Sequence, residues 1–235
     1  MMSEGARFRT IAAAGLLALA GMTLKAEEAP AAPAPNPFEG AIQAFEQADK
    51  TAPPPKGKIL CVGSSTFTIW NTMPEDLKPF KVTNRGFGGS QMSDLLLFMD
   101  RIVLPYAPRL ILVYEGDNDM VSNKKAELLL EQFKEFVTRV RAKLPQTKIL
   151  FLSIKPSPSR AAAWPEASKA NRLIAEFAKT DQRLGFVDIA TVILGPDGTP
   201  RKEYFLDDML HLNRQGYEAI IPVIKKAFAQ AKANK

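Results

Sequence analysis

The sequence predicts an α/β domain built on a parallel β-sheet. Three observations carry that prediction. Short apolar runs alternate with amphipathic helical patterns from Lys58 to the C-terminus. The runs are uninterrupted rather than alternating, as expected of strands covered on both faces. The chemically distinctive residues follow those runs, which is where ligands of such sheets bind.

The N-terminus reads as a targeting segment. Arg7 and Arg9 precede a nearly unbroken apolar stretch from Ile11 to Leu24, closed by Lys25-Ala26 ahead of Glu27-Glu28. That stretch is shorter than the ~20 apolar residues that span a bilayer. A signal peptide over residues 1–26, cut near Ala26, is therefore expected, with an exported product (periplasmic or extracellular) that keeps no membrane insertion after cleavage. An uncleaved anchor is the alternative. Residues Glu27 to Asn36 are rich in Ala and Pro and read as an extended linker. A short docking helix follows. Asn36 is its expected N-cap, Pro37 suits the first helical position, and Phe38, Ile42 and Phe45 share one face. Pro53-Pro54-Pro55 ends it, and the main domain runs over residues 58–235.

Within that domain the strand candidates are Ile59–Val62, a weaker run near Val82, Leu110–Val113, Ile149–Ile154 and Phe186–Ile189. Helical stripes lie between them. Met92, Leu95, Leu96, Met99, Ile102 and Val103 form one. Leu129, Phe133, Phe136, Val137 and Val140 form the second. Tyr217, Ile220, Ile221, Ile224 and Phe228 form the third, with Pro222 expected to kink it. Stripes of this kind build cores and carry no chemistry.

Composition narrows the function classes. A chain of 235 residues holds one sizeable domain. The net charge of +6 comes from 31 basic and 25 acidic residues that alternate in sign, without the basic run of a nucleic-acid footprint. The single cysteine, Cys61, excludes an internal disulfide and a Cys-based zinc site, and its apolar setting indicates a buried thiol.

Four segments carry chemistry. Val62-Gly63-Ser64-Ser65-Thr66 places serines at a strand-to-helix turn, where a hydroxyl is exposed and a backbone N–H points at the helix N-terminus; a plain N-cap is the alternative. Asn84-Arg85-Gly86-Phe87-Gly88-Gly89-Ser90 permits close backbone approach to a ligand but lacks a dinucleotide spacing, and an ordinary turn is equally consistent with it. Tyr114-Glu115-Gly116-Asp117-Asn118-Asp119 offers an asparagine amide at a strand end, with an Asx turn or a cation site on Glu115, Asp117 and Asp119 as alternatives. In Leu206-Asp207-Asp208-Met209-Leu210-His211-Leu212-Asn213, Asp208 stands three residues before the only histidine, His211. At that spacing a carboxylate can fold back onto the imidazole and fix its tautomer.

Together these segments resemble the SGNH hydrolases, the GDSL family of esterases and lipases, whose four blocks carry Ser, Gly, Asn and His in this order. The resemblance runs from Lys58 to the C-terminus and is closest at Asp208-x-x-His211-x-Asn213 before Gly216-Tyr217. It departs once, because the usual Gly-Asp-Ser reads Gly63-Ser64-Ser65 here. The resemblance implies a flavodoxin-like three-layer sandwich around a parallel sheet of about five strands. It also implies a nucleophile at Ser65 rather than Ser64, a triad completed by Asp208 and His211, and an oxyanion hole from the Ser65 and Gly89 N–H groups and the Asn118 amide.

The expected function is hydrolysis of acyl esters through an acyl-enzyme, with no metal or organic cofactor. The partner is a small-molecule or glycan ester, with short acyl or acetyl groups on carbohydrates as the first expectation. Lipase or lysophospholipase action, acyl transfer on the same triad, and a non-catalytic binding module are the alternatives. Trp70, Tyr114, Arg160 and Trp164 follow strands or sit in loops where a sugar could lie, or else they pack.

Overall fold

The computed structural model describes residues 36–233. The expected signal segment and the linker up to residue 35 lie outside the described residues. The chain runs α1 (Glu39–Thr51), β1 (Ile59–Gly63), α2 (Ser65–Thr68), α3 (Met73–Asp76), β2 (Val82–Gly86), α4 (Met92–Ile102), β3 (Leu110–Tyr114) and α5 (Asp117–Val121). It continues through α6 (Ala126–Lys143), β4 (Lys148–Leu152), α7 (Trp164–Ala178), β5 (Leu184–Val187), α8 (Ala190–Ile193) and α9 (Arg214–Ala233). All five strands are parallel, in the order β2-β1-β3-β4-β5. That is a flavodoxin-like doubly wound sheet, whose connection reverses direction between β1 and β3.

Successive side chains of a strand point to opposite faces, so each apolar run feeds two cores. Leu60, Val62, Ile111, Val113, Ile149 and Phe151 pack beneath α1, α4, α6 and α7. Ile59, Cys61, Leu110, Leu112, Leu150 and Leu152 pack against the α8–α9 side. Burial on both faces pushes the Cys61 thiol far above its ordinary range, so it stays protonated and apolar. Among the described residues β2 pairs only with β1 and is half-buried, which is why its sequence signal is weak. α9 continues through Pro222.

Two strands end earlier than their apolar runs. β4 stops at Leu152 because the Asn171 side chain takes both backbone groups of Ile154, at 2.8 and 2.9 Å. β5 spans Leu184–Val187 rather than reaching Ile189, because buried Ser153 Oγ accepts the Ile189 and Ala190 N–H groups at 2.9 and 3.0 Å and turns the chain into α8.

α1 lies on the first core through fully buried Ile42. Phe38 meets Phe87 edge-on at 5.4 Å, and Arg101 of α4 forks onto Glu39 and Glu46 at 2.7–2.8 Å. The structural N-cap is Phe38. Asn36, expected there, stands two residues earlier, where its Oδ1 accepts the Phe38 N–H at 2.9 Å and its carbonyl the Glu39 N–H at 3.0 Å.

Candidate active site

The connections after β1, β2 and β3 and the segment before α9 converge at the carboxyl edge of the sheet, at its switch point. β1 passes into α2 through Gly63. A Cβ at Gly63, whose φ is +141°, would lie 2.0 Å from the Tyr114 carbonyl oxygen. Only glycine lets β1 approach β3 this closely, and the Ser64 N–H then bonds that carbonyl at 3.0 Å.

The two adjacent serines face different partners. Ser64 is 1% exposed, and its Oγ accepts from Asn118 Nδ2 at 2.7 Å. Ser65 opens α2, and its Oγ lies 3.0 Å from His211 Nε2, across 146 residues of sequence. His211 Nδ1 meets Asp208 Oδ2 at 2.5 Å. The other carboxylate oxygen, Oδ1, accepts the N–H groups of Leu210 and His211, both at 2.9 Å. The bond from the His211 N–H, with the imidazole and Leu210 contributing against some burial, holds the Asp208 carboxyl down to about 2. Asp207 is exposed.

The loop carrying His211 is tightly held. Leu206 N–H bonds the His211 carbonyl at 2.8 Å, and Asn213 Nδ2 donates to the Glu203 and Phe205 carbonyls at 2.8 and 2.9 Å. Asn213 Oδ1 then accepts the Gly216 N–H at the start of α9, 3.1 Å away. Tyr217 of α9 donates to the Thr66 carbonyl of α2 at 2.9 Å, so the serine and histidine segments are joined directly.

Gly89 sits at φ +88°, in the left-handed region that favours glycine. The turn presses against the serine, since a Cβ on Gly88 would lie 3.7 Å from Ser65 Cβ. Asn118, in the first turn of α5, donates its second amide hydrogen to the Ser90 carbonyl at 2.8 Å. The sequence-derived residues Ser65, Gly89, Asn118, Asp208 and His211 are thus gathered in one place.

The three carboxylates weighed as a cation site go to separate donors. Glu115 Oε1 accepts from Ser90 Oγ at 2.6 Å. Burial pushes Glu115 well above its ordinary value of 4.5, against the opposing Ser90 bond. Asp117 bonds Lys155 and Arg160, and Asp119 bonds Lys124 and the Met92 N–H. Among the described residues no group of three His, Cys, Asp or Glu side chains is placed to hold a metal ion.

The aromatic candidates for a sugar platform pack instead. Trp70 is 1% exposed, stacks on Tyr217 at 4.7 Å and donates to Asp76 at 2.8 Å. Tyr114 is equally buried, with its hydroxyl on Asp117 at 3.1 Å. Trp164 begins α7 and packs against the first core. Arg160 alone of the four reaches the site. Lys155 and Ser90 join it there without having been singled out from the sequence; the signal available was a Lys and an Arg in Lys155-Pro156-Ser157-Pro158-Ser159-Arg160, directly after β4.

Residues 61–219 match the model of the GDSL-like lipase/acylhydrolase family. No curated protein matches the chain. Among solved structures, one from Streptococcus pneumonia, named in connection with platelet activating factor, is 24% identical, covering 80% of this chain and 91% of its own, with a TM-score of 0.72. A GDSL-like lipase from Bacteroides thetaiotaomicron is 20% identical over 81% of this chain and 98% of its own, TM-score 0.68. A family 3 carbohydrate esterase from Clostridium thermocellum is 14% identical over 76% and 98%, TM-score 0.62. At these identities the likeness is one of fold.

Proposed function

Because the chain belongs to the GDSL-like lipase/acylhydrolase family, and so is a serine hydrolase of ester bonds, we propose that Ser65 is its nucleophile, His211 its general base and Asp208 the group that orients His211. One observation carries this reading: the unbroken chain from Ser65 Oγ to His211 Nε2 at 3.0 Å and from His211 Nδ1 to Asp208 at 2.5 Å.

In the proposed reaction Ser65 Oγ attacks the acyl carbon and its proton passes to His211 Nε2. The bond to the alcohol breaks as that proton moves to the leaving oxygen. Water, deprotonated by the same imidazole, then cleaves the acyl-enzyme, releases the acid and restores Ser65. Asp208 stays ionised down to about pH 2, so it can stabilise the imidazolium at each turnover. The Ser65 and Gly89 N–H groups and Asn118 Nδ2 hold the oxyanion. Both Asn118 amide hydrogens are engaged at rest, one on Ser64 Oγ and one on the Ser90 carbonyl, so an oxyanion competes with one of these acceptors.

The substrate in this proposal is a short acyl ester, with an acetyl group on a carbohydrate as the leading case, met outside the cytoplasm after export. Three features support it. A groove of about 320 Å³ that shares Arg160 with the site has a mixed polar lining, with Val121, Lys124, Ala163 and Glu166. The Clostridium thermocellum carbohydrate esterase shares the fold. The first 26 residues have the composition of a signal peptide. A panel of acetylated sugars and p-nitrophenyl esters of increasing chain length tests the reading: acetyl esters are expected to be cleaved fastest, and a preference for long chains would overturn it.

A further inference from the structure

After β4, two cations converge on one carboxylate. Lys155 Nζ bonds Asp117 Oδ2 at 3.0 Å and Arg160 Nη1 bonds Asp117 Oδ1 at 2.7 Å. Lys155 is 3% exposed and Asp117 8%. Burial pushes Asp117 up, yet the two cations outweigh it and hold the carboxyl below its ordinary range. Buried ions are costly unless paired. One cation would neutralise Asp117, so the trio retains an excess positive charge.

The second cation has a further contact. Arg160 Nη2 donates to Asn118 Oδ1 at 3.0 Å, while Asn118 Nδ2 faces Ser64 Oγ and the Ser90 carbonyl. A guanidinium can only donate, and a carbonyl can only accept. These two partners therefore fix which end of the carboxamide points to the serines. A cation on the amide oxygen also withdraws charge from the amide nitrogen and strengthens its N–H as a donor.

We propose that Arg160 is the positioning residue of the oxyanion hole: anchored by Asp117, it locks and polarises the Asn118 carboxamide so that Nδ2 presents its hydrogen beside Ser65. Lys155 keeps Asp117 ionised and in place once Arg160 is removed, so the local fold survives that loss. The inference rests on the reading of Asn118 as an oxyanion donor.

The test is a double-mutant cycle on p-nitrophenyl acetate hydrolysis, using Asn118→Ala, Arg160→Ala, Arg160→Lys and the Asn118→Ala/Arg160→Ala pair, with melting temperatures alongside. Asn118→Ala is expected to lower kcat about 100-fold or more, the usual cost of one oxyanion donor. Arg160→Ala is expected to lower kcat about 10-fold or more with KM within about twofold, the pattern of a lost transition-state interaction. Arg160→Lys should recover part of that loss, and added guanidinium ion should partly rescue Arg160→Ala but not Asn118→Ala. The pair should be no slower than Asn118→Ala alone. Full kcat in Arg160→Ala, an effect confined to KM, or losses that multiply in the pair would each overturn the inference. Full activity in Asn118→Ala would instead overturn the oxyanion reading beneath it.

Discussion

The amino ends of β3 and β4 border a cavity of about 1030 Å³, lined by Arg109, Lys148, Asp181, Arg183 and Lys232. At the carboxyl ends of β1 and β3 the serine, histidine and asparagine converge, and a neighbouring groove of about 320 Å³ touches them through Arg160, which lines it and bonds Asn118. The chemistry lies at the carboxyl ends, away from the larger cavity, because of how each end is built. At the amino ends, long side chains serve the loops: Arg183 donates to the Pro145 carbonyl at 2.6 Å, and Arg141 pairs with Asp181 at 3.2 Å. At the carboxyl ends, strands turn directly into helices, so short side chains and free first-turn N–H groups are held by the backbone itself.

The sharpest way to break the contrast is one substitution at each end. Ser65→Ala is expected to lower p-nitrophenyl acetate hydrolysis by about 10³-fold or more. Arg183→Ala, at the larger cavity, should leave the rate within about twofold. Comparable losses in both would place function at the wrong end of the sheet.

The adjacent aspartates give the next largest difference. Asp208→Asn removes the charge behind the imidazole and is expected to cost about 100-fold or more in kcat, whereas Asp207→Asn should change it by less than about twofold. The Asp208 carboxyl stays ionised down to about pH 2, so its own protonation does not limit the rate above that pH. Equal losses in the two aspartate variants would reject the assignment.

Smaller effects are expected from groups that only support the site. Ser64→Ala removes an acceptor of Asn118 but leaves the Ser90 carbonyl in place. The expected loss is under about tenfold, the scale of one hydrogen bond, and an inactive Ser64→Ala with an active Ser65→Ala would reverse the choice of nucleophile. Glu115→Gln tests a buried carboxyl whose proton burial holds well above its ordinary range. Above its ordinary value of 4.5 the unfolded chain gives up this proton while the folded chain keeps it, so native stability falls as pH rises. Gln has no proton to lose. Melting curves at pH 5 and pH 8 should therefore show the variant gaining on the parent chain at the higher pH, and a constant difference would contradict a protonated Glu115.

Legibility followed distance along the chain. Uninterrupted apolar runs marked the strands because two-sided burial demands them, and the Asp208–His211 contact was readable because three residues span one turn. Strand ends were misplaced at Ile154 and Ile189, because the groups that stop β4 and β5 are the side chains of Asn171 and Ser153, at 17 and 36 residues' separation. Trp70 and Tyr114 suggested a binding face by type and position, but Tyr217 and Asp117 claim them.

The sequence alone therefore determined the layered α/β plan, the local turns that carry Ser65, Asn118 and His211, and the pairing of His211 with Asp208. Each of these is set within one turn or one strand. The family resemblance favoured Ser65 over Ser64, but only the tertiary structure shows Ser65 Oγ on His211 with Ser64 turned to Asn118, and only it shows that Arg160 reaches Asn118. Those contacts depend on β1 lying between β2 and β3 and on α9 docking against α2, which no local pattern specifies.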